Sequence, residues 1–150
     1  MRLVVQRVTR ASVSSGGELL GEIGAGAVVL AGIGADDTPE VVDRMARKLV
    51  GLRYFEDEDR RTNLSIADAG GAYLVVSQFT LYADLRRGRR PGFTGAALPE
   101  VATPLVDRFV DRLRGAGQHV ETGRFGAAMA VEMSNDGPFT LVLDSERDLT

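Results

Sequence analysis

Read for the alternation of apolar and polar positions, the chain opens on a strand. Leu3 to Val13 is rich in β-branched residues with polar ones interleaved. Ser14-Ser15-Gly16-Gly17 follows as turn chemistry, so the pattern predicts a hairpin whose second strand covers about Glu18 to Ile23. Gly26-Ala27-Val28-Val29-Leu30-Ala31-Gly32-Ile33 is a continuous apolar run, as expected of a strand buried on both faces and central in its sheet. Thr38-Pro39-Glu40 supplies a capping hydroxyl, a proline at the first helical position and an acid in the first turn. Val42, Met45, Leu49 and Leu52 then recur at helical spacing, which predicts a helix packing one face on the sheet. Arg53 to Glu56 reads as a short strand and the charged stretch Asp57 to Arg61 as a solvated loop.

Beyond the turn at Asp68-Ala69-Gly70-Gly71, the segment Ala72 to Phe79 reads as a second buried strand that becomes polar at Ser77. Arg86 to Gly92 is a loop. Ala102, Leu105, Val106, Phe109, Val110 and Leu113 mark a second helix ending at Gly115-Ala116-Gly117. Pro104 inside that span predicts that the helix either starts there, with Thr103 as cap, or is kinked. His119 to Thr122, Ala128 to Met133 and Phe139 to Leu143 supply up to three further strands. The expected fold is one α/β domain over residues 1–150, a mixed curved β-sheet with two main helices packed on one side.

Composition then narrows the chemistry. A chain of 150 residues, 44% hydrophobic and 26% charged, suits one compact globular domain. There is no cysteine and a single histidine, His119, which removes disulfide scaffolds, thiolate zinc sites, cysteine nucleophiles and any site needing two histidines of one chain. No metal or other cofactor is expected. A formal net charge of −3 gives no general attraction to nucleic acid, so any such contact must come from a local basic patch. No apolar run approaches the roughly 20 residues of a membrane span, and Met1-Arg2 leads directly into the first strand pattern. The expectation is a cytoplasmic protein without membrane or DNA partners.

Three segments could carry chemistry. Ser77-Gln78-Phe79-Thr80-Leu81-Tyr82 puts two hydroxyls and an amide at the end of an apolar strand. A hydroxyl nucleophile needs a base, and nothing in the sequence links His119 to Thr80; the same hydroxyls could equally satisfy backbone groups at a strand end. Arg86-Arg87-Gly88-Arg89-Arg90 concentrates four guanidinium groups, whose planar forks suit phosphate oxygens, though such loops are often merely solvated. Asn135-Asp136-Gly137-Pro138-Phe139-Thr140 is most simply a tight turn. The sharper reading is a cis Gly-Pro bond, since proline lowers the cis penalty to about 0.5–1 kcal/mol, with rigid carbonyls aimed into a pocket.

SQFTLY at 77–82 followed by NDGPFT at 135–140 resembles the D-aminoacyl-tRNA deacylases, the chirality-proofreading hydrolases. The likeness extends over essentially the whole chain, through Gln6-Arg7-Val8, Leu52 to Phe55, Asn63, Arg87 to Phe93, and Thr122 to Ala127 with Met129. It implies a homodimer in which the Gly137-Pro138 segment of each copy, in cis, enters the active site of the other. Ser77, Gln78, Phe79 and Thr80 would line the pocket for the aminoacyl ester at the tRNA terminus. Gly137 and Pro138 would capture the amino group of a D-residue and leave no room for an L-side chain. Arg7 would hold that segment, and Phe125 and Met129 would lie near the terminal adenosine. The implied substrates are D-aminoacyl-tRNA and mischarged glycyl-tRNA, held by the acceptor end. Phe139 departs from the family's usual valine, Ala128 from aspartate, Arg87 from lysine and Gly92 from serine.

An aminoacyl ester is already activated, so positioning and oxyanion stabilisation can suffice. Backbone N–H groups near Phe79 and Thr80 could supply the second, and the 2′-hydroxyl of the terminal adenosine could help activate water. Attack by Thr80 itself is the competing route. Two other functions compete with the deacylase: a noncatalytic RNA-binding module using the arginine loop, and a hydrolase of small metabolites with arginine on a carboxylate.

Overall fold

The computed structural model describes residues 1–149. Its elements in order are β1 (Arg2–Ser15), β2 (Glu18–Ile23), β3 (Gly26–Gly32), α1 (Pro39–Gly51), β4 (Arg53–Glu56), β5 (Thr62–Ser65), β6 (Ala72–Ser77), a 3-10 turn (Phe79–Tyr82), α2 (Pro99–Gly115), β7 (Val120–Thr122), β8 (Ala130–Asp144) and α3 (Ser145–Asp148). β1 organises the sheet. One of its edges is shared end to end by β3, opposite Arg2–Val8, and β2, opposite Ala11–Ser15. Its other edge pairs antiparallel with β8. β6 joins β3 in parallel and β7 joins β6 in parallel, so the sheet is mixed, in the order β2-β1-β3-β6-β7 with β8 on β1.

Alternation sorts the strand residues onto two buried faces. Leu3, Val5, Ala27, Val29, Ala31, Tyr73 and Val75 meet α1 through Val42, Met45 and Leu49, and α2 through Phe109 and Leu113. Val8, Ala11, Val13, Ile23, Val28, Leu74 and Val76 form a second apolar cluster, to which no helix contributes. The sheet covers that face by curling on itself. A Cβ added at Gly21 of β2 would meet the Thr122 carbonyl oxygen of β7 at 3.1 Å, so glycine lets the two strands come this close without displacing β7. The two-faced burial of β3 and β6 explains why both read as unbroken apolar runs.

α1 starts as its sequence predicts, Thr38 capping the Val41 amide with Pro39 in the first turn. Asp43 then clamps the two helices together, its carboxylate accepting from Arg108 at 2.7 and 2.8 Å and from Arg112 at 2.8 and 2.9 Å. Three elements differ from expectation. α2 begins at Pro99 and runs through Pro104, so of the two readings of that proline the helix start with Thr103 as cap is the one set aside. Pro104 is exposed and lacks the N–H that would bond the Glu100 carbonyl, and the Thr103 hydroxyl donates to Pro99 O at 2.8 Å instead of capping a helix start. β5 is a short, partly exposed strand in which Leu64 is the one apolar residue, so its TNLS pattern carries no alternation.

The third difference concerns the Gly-Pro segment. Of the two strands expected at Ala128–Met133 and Phe139–Leu143, Ala130–Met133 and Phe139–Leu143 belong to one strand, β8, while Ala128 and Met129 precede it, and no chain-reversing turn separates the two parts. Asn135 faces Val8 and Thr140 faces Gln6, so Asp136, Gly137, Pro138 and Phe139 all sit opposite the single residue Arg7. The segment is a bulge in a continuous edge strand, which bends the strand locally without turning it back.

Candidate active site

β6 ends at Ser77 and delivers the chain directly into the 3-10 turn. The Gln78 amide donates to Ala31 O of β3 at 2.8 Å, anchoring the start of the turn. Arg2 anchors its end, with Nη1 on Leu81 O at 3.0 Å and the guanidinium 4.6 Å from the Tyr82 ring centroid, while Nε pairs with Asp144 at 2.9 Å. Burial, with Asp37 nearby, pushes the Tyr82 phenol up, so it stays neutral. The first bond of the turn runs from the Leu81 amide to Gln78 O at 3.3 Å, and the Phe79 and Thr80 amides precede it. These two N–H groups therefore have no acceptor within the turn.

In front of the turn lies a cavity of about 480 Å³, walled by the end of β6 and the 3-10 turn, the first turns of α2, and the segment leading into β8. Ser77, Gln78, Phe79, Phe125 and Met129 all line it. Phe93 closes one side, edge-on to Phe79 with ring centroids 5.0 Å apart. No residue lining this cavity carries an ionisable side chain. A larger hollow of about 650 Å³, bordered by Asp37, Arg44 and Tyr82 at the end of the turn, holds none of the residues expected to bind substrate or act on it.

Thr80 is exposed and outside the cavity lining, and its hydroxyl is engaged by the Gln78 side-chain amide. His119 is farther away. Its carbonyl pairs with the Tyr73 amide near the start of β6, at the opposite end of the strand from Ser77, and its exposed ring meets Glu121 at 3.1 Å. Four residues of strand separate Tyr73 from Ser77, about 13 Å.

The peptide bond between Gly137 and Pro138 is cis. Both residues are exposed and neither lines the cavity of their own chain. Val131 does, and Gly137 lies six residues farther along β8, about 20 Å if extended. Beneath the bulge is Arg7, 5% exposed and the one charged residue buried as a whole among the described residues. Its Nη1 donates to Tyr54 O at 2.8 Å, its Nε lies 3.2 Å from Asp136 Oδ2, and its guanidinium sits 4.8 Å from the Phe139 ring centroid. The Asn135 side-chain amide closes the base of the bulge, donating to Arg7 O at 2.8 Å and Phe139 O at 3.1 Å. Gly137 has φ +121°, and a Cβ there would meet Arg7 Nη2 and the Phe139 amide, both at 3.1 Å. Tyr54, whose phenol burial pushes up to about 12, stacks on Phe139 at 6.4 Å.

Five residues singled out in the sequence, Ser77, Gln78, Phe79, Phe125 and Met129, thus line one cavity, while the expected turn at Gly137-Pro138 is a bulge, and the parts played by Phe93, Val106 and Asn135 were missed. Val106 carries only a core signal, because one helix face serves both the core and the cavity wall. Asn135 was visible as part of NDGPFT, but its clamp depends on Arg7, 128 residues away.

A family model described as D-Tyr-tRNA(Tyr) deacylase matches residues 4–144. A D-aminoacyl-tRNA deacylase of Symbiobacterium thermophilum is 59% identical over 98% of this chain and 97% of its own length. One of Chlorobaculum parvum is 57% identical over 98% and 99%. Among solved structures, a c-Myc DNA unwinding element binding protein superposes with a TM-score of 0.90 at 42% identity, covering 96% of this chain and 98% of the other. A structure described as a probable eukaryotic D-amino acid tRNA deacylase superposes with a TM-score of 0.83 at 19% identity, covering 95% and 97%, a likeness of fold. With the family model spanning nearly the whole chain and relatives this similar at full length, the chain belongs to the D-Tyr-tRNA(Tyr) deacylase family.

Proposed function

We propose that the chain hydrolyses the ester of D-aminoacyl-tRNA, and of mischarged glycyl-tRNA, at a site shared by two copies. The observation that carries this reading is the cavity without an ionisable side chain beside a turn with two unengaged amides. Such a site cannot supply a general base of its own, so it suits a substrate whose acyl group is already activated. The terminal adenosine enters the cavity between Phe79, Phe125 and Met129, with the ester over Ser77 and Gln78. Water adds to the carbonyl carbon, the Phe79 and Thr80 amides stabilise the oxyanion, and the bond to the 3′-oxygen breaks as that oxygen takes a proton. The adjacent 2′-hydroxyl of the RNA relays the proton. Products are the free amino acid and tRNA.

Chirality is read by the Gly137-Pro138 bulge of the second copy. Exposed, held by a buried arginine and remote from its own cavity, the bulge is rigid and available to a partner. Its carbonyls accept from the α-ammonium of a D-residue, and the space left excludes an L-side chain. Glycine has no side chain to exclude and is therefore a substrate. A soluble tRNA-acting enzyme of this kind works in the cytoplasm.

The test is hydrolysis of matched D-tyrosyl-, L-tyrosyl- and glycyl-tRNA. Rapid loss of the D-tyrosyl and glycyl groups with the L-tyrosyl ester intact is expected; equal rates for D and L, or none, contradict the reading. Thr80→Ala is expected to keep hydrolysis within about fivefold, roughly 1 kcal/mol, whereas a 2′-deoxy terminal adenosine abolishes it. The opposite pair of results makes Thr80 the nucleophile.

A further inference from the structure

The four arginines between Arg86 and Arg90 are not equivalent. Arg86 folds back on its own loop, donating from Nε and Nη2 to the two Asp84 carboxylate oxygens at 2.9 and 2.8 Å, while its amide donates to the same group at 3.0 Å. Asp84 and Gly92 exchange backbone hydrogen bonds of 2.7 and 3.0 Å, closing the loop at its base. Arg87, Arg89 and Arg90 are exposed and make no hydrogen bond or ion pair with another described residue. The loop is thus a closed frame that holds three unpaired guanidinium groups outward.

Its position relative to the cavity is set by the chain itself. Phe93, which lines the cavity, follows the closing residue Gly92 directly. Arg90 is three residues from Phe93, so their Cα atoms lie within about 11 Å. On the α2 side, past Ser77, Val106 and Phe125, the cavity adjoins a hollow of about 330 Å³ bordered by Asp107, Asp111 and Arg114. Two carboxylates against one guanidinium make that route unfavourable for a polyanion. The remainder of the chain is net acidic, which leaves the loop as the basic approach.

We infer that Arg87, Arg89 and Arg90 form a phosphate-gripping subsite for the unpaired 3′ end of the tRNA, on the nucleotides just before the terminal adenosine, with Arg86 as the internal staple of the loop. The inference rests on the deacylase reading for the occupant of the cavity. Because guanidinium groups on phosphates carry no base information, the grip is indifferent to sequence and falls with salt. It adds to the capture of tRNA and leaves the ester chemistry to the cavity.

The test compares D-tyrosyl-tRNA with the D-tyrosyl ester of adenosine, which lacks every phosphate, for the unaltered protein and for Arg87→Gln/Arg89→Gln/Arg90→Gln. The ratio of kcat/KM for the tRNA to that for the adenosine ester is expected to fall at least about 30-fold at low salt. The slope of log kcat/KM against log salt for the tRNA is expected to flatten by about 2, near 0.7 for each of three single-strand phosphates. Arg86→Gln flattens it by less than one such increment. An unchanged ratio and slope overturn the inference, as does an equal loss on both substrates, which would make the loop part of the cavity wall. If the unaltered protein turns over neither substrate, the deacylase reading fails separately. Binding of an uncharged CCA-ended RNA hairpin, read by fluorescence anisotropy against salt, then judges the loop by the same change in slope.

Discussion

The cavity and the Gly137-Pro138 bulge are held by opposite means. The cavity is walled by four separate parts of the chain, its turn is anchored at both ends, and α2 on its far side is tied to α1 by four hydrogen bonds onto one carboxylate. The bulge, flanked on both sides by pairing with β1 and packed through Phe139 on Tyr54, has its polar support in two side chains, Arg7 and Asn135. Distributed packing tolerates loss, whereas a rigid element with one buried charged support does not. A cavity can shift by a few tenths of an ångström and still admit a nucleoside. On the proposed reading the bulge cannot, because the side chain it would reject differs only in direction.

The largest effect should therefore come from Arg7. Arg7→Ala removes a charge-assisted bond to Tyr54 O, the pairing with Asp136 and the contact with Phe139. A hydrogen bond to a charged group contributes about 1.5–3 kcal/mol, so the loss of position is expected to lower D-tyrosyl-tRNA hydrolysis about 100-fold while the protein still unfolds cooperatively. Retained rate and selectivity would show that the bulge is held by something else.

A smaller and pH-dependent effect should appear on the cavity side. Hydrogen bonds from Arg108 and then Arg112 hold the Asp43 carboxyl well below the usual carboxylate range. Because the folded-state pKa is depressed, this stabilisation is complete above the unfolded value near 4 and is lost as pH falls toward the folded value. Urea midpoints measured from pH 6 to pH 2.5 should fall less steeply for Asp43→Asn than for the unaltered protein. Parallel curves would remove Asp43 from the account. Smallest of all is His119→Ala, for which deacylation is expected to change by less than about twofold, since the ring lies at the far end of β6 from the cavity.

These contrasts also explain what could be read in advance. The hairpin, α1, β3 and β6 were legible because each carries its own local signal: a glycine-rich turn, a capping threonine with proline, or an apolar run buried on both faces. The start of α2 was not, because a proline on an exposed face in the second turn removes one helical hydrogen bond without ending the helix. Ser77 to Phe79 stood out at the polar end of an apolar strand. The bulge read as a turn when taken locally, and only β1 running alongside keeps it in one strand. Its support by Tyr54 O, 47 residues from Arg7, is a tertiary fact with no local mark; the resemblance alone pointed to Arg7.

The central claim is that the cavity of one copy works with the bulge of another, and complementation between variants tests it most directly. Gln78→Ala/Phe79→Ala impairs the cavity and Gly137→Ala impairs the bulge, where φ is +121° and a Cβ would press on Arg7 and Phe139. Each variant alone should be inactive on D-tyrosyl-tRNA. Mixed in equal amounts and allowed to exchange, half of the dimers are hybrid and each hybrid has one intact site, so about one quarter of the unaltered activity should return. If the mixture stays inactive although hybrids form, the site lies within a single chain and the account is wrong.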